Sequence, residues 1–314
     1  MTSGKKKKRR PAGSYRAPAA APPPKRGMLD SLFSRPTGVS PMPKIRTTLA
    51  RGLSTVLGAP VLVIAVPVVL LVEWGILLAF GFQGPFSLLS AVFGVPPIST
   101  YADVILSSSA FAPASGGGVG SSIGPLIGII LFLTVNAALH AWVTTASVES
   151  LRTGAISSWA VRRAIHVLPV TVAVGVVNLG ILILANITQV LGGGIGFLAF
   201  IGLLTVGVYL FAFAPAIAAD EDRTITATLS RSVRAARMPG SNNLSLAAIY
   251  AIPAFSVLLA PVPGGLIGVN PSVAAWAISI TVNVVQMAVV ATFAYRYLCV
   301  ADVVPEAVER SRAR

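Results

Sequence analysis

Six long apolar runs, separated by short polar segments, set the rhythm of this chain. They cover roughly 53–82, 123–148, 165–188, 197–219, 244–267 and 273–298. About 20 apolar residues let a helix cross the hydrocarbon core of a bilayer, and each run is near or above that length. The pattern predicts an all-α, polytopic integral membrane protein whose six transmembrane helices form three hairpins. The first run contains Pro60 and Pro67, so a tilt or a kink is expected there. It is too long for the apolar region of a signal peptide, and its leader is also too long.

Composition agrees with a bilayer as solvent. Hydrophobic residues make up 54% of the 314 and charged residues only 11%, against about 25% charged in ordinary soluble proteins. So little charge could not cover the surface of a soluble domain.

The charges that do occur set the topology. Residues 1–51 hold 13 of the 24 Lys and Arg and one acid, Asp30, so nearly all of the net +14 belongs to this stretch. Beyond it, Arg stands at 152, 162, 163, 223, 231, 234, 237, 296, 310, 312 and 314. With the N-terminus inside, every cation falls on the cytoplasmic side, and both termini are cytoplasmic. The expected organisation is a disordered, basic, Pro-rich tail at 1–51, a six-helix domain at 52–298 and a cytoplasmic C-terminal tail at 299–314. Lysine is confined to the tail, and Arg, Ala, Gly and Val dominate elsewhere. That bias points to the plasma membrane of a bacterium or an archaeon.

The tail carries KKKKRR at 5–10. Beside an anionic leaflet each such cation contributes about 1 kcal/mol, so the run reads as a topology anchor on inner-leaflet lipids. RNA contact during insertion and a specific protein partner are the other readings. Tyr15 is the one aromatic in the polar part of the tail, which lacks the stacking platforms of a single-strand binder, and no specific nucleic acid is expected. A short helix at Met28–Phe33 and an interfacial helix at Lys44–Arg51 are expected within 1–51.

Two cytoplasmic segments look alike. RTGAISSWAVRRA at 152–164 and RTITATLSRSVRAA at 223–236 match at seven positions with one residue inserted. They read either as a parallel repeat of the kind found in transporters or as two basic, Ala-rich interfacial helices. In the second, Asp220, Glu221 and Asp222 stand at the expected helix start, and Arg231, Arg234 and Arg237 lie toward its end, an order that suits the helix dipole. Ile225, Leu229 and Val233 form one apolar face, and Pro239 and Gly240 stop the helix. This amphipathic helix, with Arg223, Arg231, Arg234 and Arg237, either lies on the inner leaflet or docks a membrane or cytoplasmic protein partner.

The stretch APAIAADEDRTITATLSRSVRAAR, residues 214–237, places an acidic turn and a basic L-x-R-S helix between two spans. In this it resembles the membrane domain fused to some bacterial glycerophosphodiester phosphodiesterases, and that domain's stand-alone six-helix relatives. The resemblance implies a six-helix membrane fold. The phosphodiesterase catalytic domain is absent from this chain, so the resemblance brings no catalytic residues with it.

Polar groups inside spans mark function more often than in soluble cores. Asn136, His140 and Thr144 share one face of the second span, Asn178 lies in the third, and Asn283 and Gln286 share a face of the sixth. Glu73, in the outer half of the first span, is the one acid well inside a span. One reading is a polar path through the bundle with Glu73 and His140 as proton or cation groups. The other is interhelical hydrogen bonding, worth about 0.6 kcal/mol per bond. Neither His stands at metal-ligand spacing from a Cys, Asp or Glu, Cys299 is the single cysteine, and no catalytic residue, metal or cofactor is expected. The sequence thus supports a non-catalytic membrane protein that organises or assists membrane components or lipids, or else a permease subunit or small transporter.

Overall fold

A computed structural model describes residues 42–80, 123–188, 190, 192–238, 242–259 and 271–301. The KKKKRR run, the Met28–Phe33 helix, the outer loop 83–122, the Pro239–Gly240 stop and the tail beyond 301 lie outside the described residues. Every regular element within them is helical: α1 (Ile45–Leu57), α2 (Pro60–Ala79), α3 (Ile123–Thr153), α4 (Ser158–Thr188), α5 (Gly193–Phe211), α6 (Ala214–Asp220), α7 (Ile225–Ala236), α8 (Asn243–Leu259) and α9 (Pro271–Leu298).

Among the described residues three helices are long and apolar enough to cross a membrane, at Ile130–Thr153, Ser158–Ala185 and Gly194–Asp220. They match the second, third and fourth expected spans. The third of these runs through α5 into α6, across a turn at Ala212–Phe213. A fourth candidate is the pair α1 and α2, bent by 75° at the break between them. The fifth expected span is helical from Asn243 to Leu259, and the sixth is α9.

The first expected span, 53–82, is therefore not one kinked helix. Its beginning belongs to α1, which starts at Ile45, and the chain turns at Gly58–Ala59 before α2 opens with Pro60 at its first position. Proline lacks an amide N–H and its ring excludes a continuing helix on its N-terminal side, so the break falls just before it. Pro67 stays inside α2.

Helix α2 packs on α3, α3 on α4, α4 on α5 and α5 on α8, while α9 returns against α2 and α3 and covers α1. Along α2, Leu62, Val66, Leu70 and Glu73 are buried and Val61, Ile64, Val68 and Leu71 are exposed. Two helical stripes thus point in opposite directions, and the outer one is apolar. The same holds on α4, where Ile165, Val172, Val176, Ile183 and Ile187 are exposed. Apolar stripes of this extent facing outward suit lipid as the solvent.

Short α6 and α7 close one end of the bundle, α6 against α3, α4 and α9, and α7 against α4, α5 and α6. The two look-alike segments differ in structure. Thr153 ends α3, Gly154 turns the chain with φ +78°, and Ser158–Ala164 are simply the first turns of α4. Only 223–236 contains a separate short helix, so the first segment is not an interfacial helix of its own. The reason lies in Glu149, whose carboxylate accepts from the Ser157 backbone N–H at 3.0 Å and from the Ser157 hydroxyl. It caps α4 from the preceding helix and lets the span begin at once.

Candidate functional site

Two groups of polar side chains stand out, one inside the apolar part of the bundle and one at its closed end.

The inner group begins with Glu73, which has no exposed surface. Its Oε1 accepts from Asn136 Nδ2 at 3.2 Å, which joins α2 to α3. Its Oε2 has no hydrogen-bond partner among the described residues. His140 lies one turn beyond Asn136 and is also buried. The Thr144 hydroxyl donates to the His140 backbone carbonyl at 2.8 Å and lies 3.4 Å from His140 Nδ1. Asn136, His140 and Thr144 are all buried, so the stripe predicted on this helix faces inward.

The remaining candidates lie on other helix pairs. Gln286 of α9 accepts from the Tyr250 hydroxyl of α8, and Asn283, one turn earlier, is buried. Asn178 donates to its own helix, at Val174 O, 2.8 Å away. Its Oδ1 reaches so close to Gly207 of α5 that a Cβ there would sit 2.7 Å from it. Tyr250 was not singled out in the sequence, since a lone Tyr in an apolar run carries no periodic signal.

The group at the closed end is built around Glu221. Tyr297 of α9 donates its hydroxyl to Glu221 Oε1, and Arg231 Nε of α7 lies 2.8 Å from that same oxygen. Arg231 Nε is also 3.2 Å from the Tyr297 hydroxyl, and Arg231 Nη2 donates to Ala301 O at 2.8 Å. Arg223 pairs with Glu221 Oε2. Burial alone would push the Arg231 guanidinium down. The Tyr297 hydrogen bond and the Glu221 charge outweigh it, and the group is held above its ordinary range.

Two further arginines brace this end. Arg163 of α4 donates to the carbonyls of Ala218, Ala219 and Glu221 at 2.8–3.1 Å. These are carbonyls that the end of α6 leaves without helical partners, so a cation from a neighbouring helix caps its negative pole. Arg296 of α9 is 1% exposed. It donates to Asn243 Oδ1 at 2.9 Å, to Pro43 O at 3.3 Å and to Thr48 Oγ1 at 3.4 Å. Asn243 Nδ2 in turn reaches Ala235 O and Ala236 O, the last carbonyls of α7. Arg152 pairs with Asp220 from an exposed position.

The predicted helix at this end is present, as α7, and it packs several polar and small side chains inward. Asp220 is the last residue of α6, and Thr224 caps α7 by accepting from the Ala227 N–H at 3.4 Å. The three acids therefore precede α7 rather than forming its first turn, where they would have met its dipole. The buried face holds Thr228, Arg231, Ser232, Ala235 and Ala236, while Ile225 is exposed. Small side chains let α7 approach the end of α5, where the Ser232 hydroxyl donates to Leu210 O at 2.7 Å. Of the four arginines expected to face a leaflet or a partner, Arg231 points inward and Arg223 turns to Glu221. Arg234 is half-buried and Arg237 is exposed.

Among the described residues no group of three or more His, Cys, Asp or Glu could hold a metal ion. No protein-family model, curated protein or solved structure matches the chain.

Proposed function

We propose that the chain is a six-span integral membrane protein of a bacterial or archaeal plasma membrane, with both termini cytoplasmic. Its role is non-catalytic: it organises or assists other membrane components or lipids, as a stand-alone relative of the phosphodiesterase membrane domain. The observation that carries this is the use made of the arginines at the closed end. Arg163, Arg231 and Arg296 come from three distant parts of the chain and converge there. Each ties separate helix ends together. Convergence of the cationic segments at one end supports a single cationic face, as the positive-inside pattern requires. A platform braced in this way suits a protein that holds partners in place.

The test is affinity purification from native membranes in mild detergent, with mass spectrometry of what is retained. A membrane protein or a defined lipid held in constant ratio supports the organising role. A stoichiometric cytoplasmic ATPase overturns it in favour of a permease subunit docked through Arg234 and Arg237.

The second reading is a small transporter with a polar path. It is favoured by Glu73, a fully buried carboxyl held by Asn136 with its second oxygen unbonded among the described residues. Proton flux into proteoliposomes that is lost in Glu73→Gln supports this path, and equal flux in both proteins excludes it.

A further inference from the structure

Helix α1 departs from α2 by 75° and runs antiparallel to the end of α9, with Thr48 at Thr292 and Arg296 and Gly52 at Ala288 and Thr292. One face of α1 is seated on α9. Thr48, Gly52, Thr55 and Val56 are buried, at the spacing of a single helical stripe. The approach is close, for a Cβ on Gly52 would stand 2.1 Å from Thr292 Oγ1 and 2.4 Å from the Ala288 carbonyl oxygen. Arg296 fastens the start of the helix through Thr48 and Pro43.

The free surface of α1 has two characters. Leu53 and Leu57, one turn apart, are 42% and 57% exposed. Thr47, Arg51 and Ser54 form a neighbouring exposed strip, and Lys44 and Arg46 are exposed at the helix start. None of the three cations has an ion-pair partner among the described residues. The sequence holds no acid between Asp30 and Glu73.

We propose that α1, running antiparallel to the end of α9, binds an acidic glycerophospholipid. Lys44, Arg46 and Arg51 take the phosphate, and Leu53 and Leu57 lie along the acyl chains. The charges match an anionic headgroup and the leucines match its tails, a pairing that free phosphate cannot use. This rests on the proposed topology for the side of the membrane, but not for the binding itself.

The test uses the full-length protein in mild detergent, offered phosphatidylglycerol or phosphatidylcholine and examined by native mass spectrometry. The wild type should retain phosphatidylglycerol preferentially. Each cation removed in the series to Lys44→Gln with Arg46→Gln and Arg51→Gln should lower that retention about fivefold. Retention of phosphatidylcholine should not change. Arg46→Lys with Arg51→Lys should restore binding, and replacing all six cations of KKKKRR by Gln should leave most of it. Unchanged binding in the triple variant, no preference in the wild type, or complete loss from the tail variant alone each overturn the proposal. Labelling of Cys299 by an impermeant maleimide from the outer side would instead overturn the topology and leave lipid retention intact.

Discussion

Arg231 and Tyr297, 66 positions apart, meet at 3.2 Å with Glu221 Oε1 between them. The contact fastens a short surface helix to the last long helix of the bundle. Arg231 is 4% exposed and Glu221 17%. Removing one member of so buried a pair leaves the other desolvated and unmatched, which costs about 3 kcal/mol. Arg231→Ala should therefore lower the unfolding midpoint in detergent by several degrees. Arg237→Ala, on the same helix but exposed, should leave it within about 0.5 kcal/mol of wild type. Equal effects from the two variants would show that Arg231 is not held as described.

Asn243 serves two neighbours at once. Its amide oxygen receives Arg296 and its amide nitrogen reaches the last carbonyls of α7. Asn243→Ala should cost about 2 kcal/mol, since it leaves a buried cation and a helix end short of partners. Asn243→Asp keeps an acceptor for Arg296 but loses the donor. It should fall between wild type and Ala in chemical denaturation. An Asp variant less stable than the Ala variant would contradict this division of labour.

Gly52 is a position where side-chain size decides packing. Gly52→Ala should destabilise the protein by about 1–3 kcal/mol through overpacking against α9. Thr292→Ala in the same chain should recover part of that loss and not all of it, because the Ala288 carbonyl still lies in the way. Full recovery would mean that the helices can separate freely.

Glu73→Gln tests stability and function separately. Gln offers Asn136 the same acceptor, so the unfolding midpoint should move by less than about 1 kcal/mol. Asn136→Ala should lose about 0.6 kcal/mol, the average for such a bond in a membrane bundle. A large loss of stability from Glu73→Gln would mean that the carboxyl carries a structural charge rather than an interhelical hydrogen bond.

The helical plan was legible in the sequence because apolar length is a strong signal. So was the inward stripe of Asn136, His140 and Thr144, because a four-residue spacing fixes a common face. Pro60 marked the bend, although the chain uses it to start a new helix and not to kink an old one. The closed end was harder to foresee. Arg231 lies in a polar stretch of the sequence, and only the fold brings Glu221 and Tyr297 to it. Of the apolar face read from the sequence, Ile225 is exposed while Leu229 and Val233 are half-buried, and the residues packed inward were not foreseen. Close packing at a helix end selects small side chains such as Ser232 and Ala235, which carry little hydropathy. Arg296 sits next to a span end, where positive-inside reasoning accounts for its charge and says nothing of its burial.

The central claim is a six-span topology with every cation on the cytoplasmic side, and side-specific cysteine labelling tests it most directly. Native Cys299 is exposed and should react with an impermeant maleimide in inverted vesicles and not in intact spheroplasts. In a Cys299→Ser background, Ser115→Cys, Gln189→Cys and Asn270→Cys should each react in spheroplasts alone. Labelling of any of the three from the cytoplasmic side, or of Cys299 from outside, would contradict the topology and the single cationic face on which the proposed role rests.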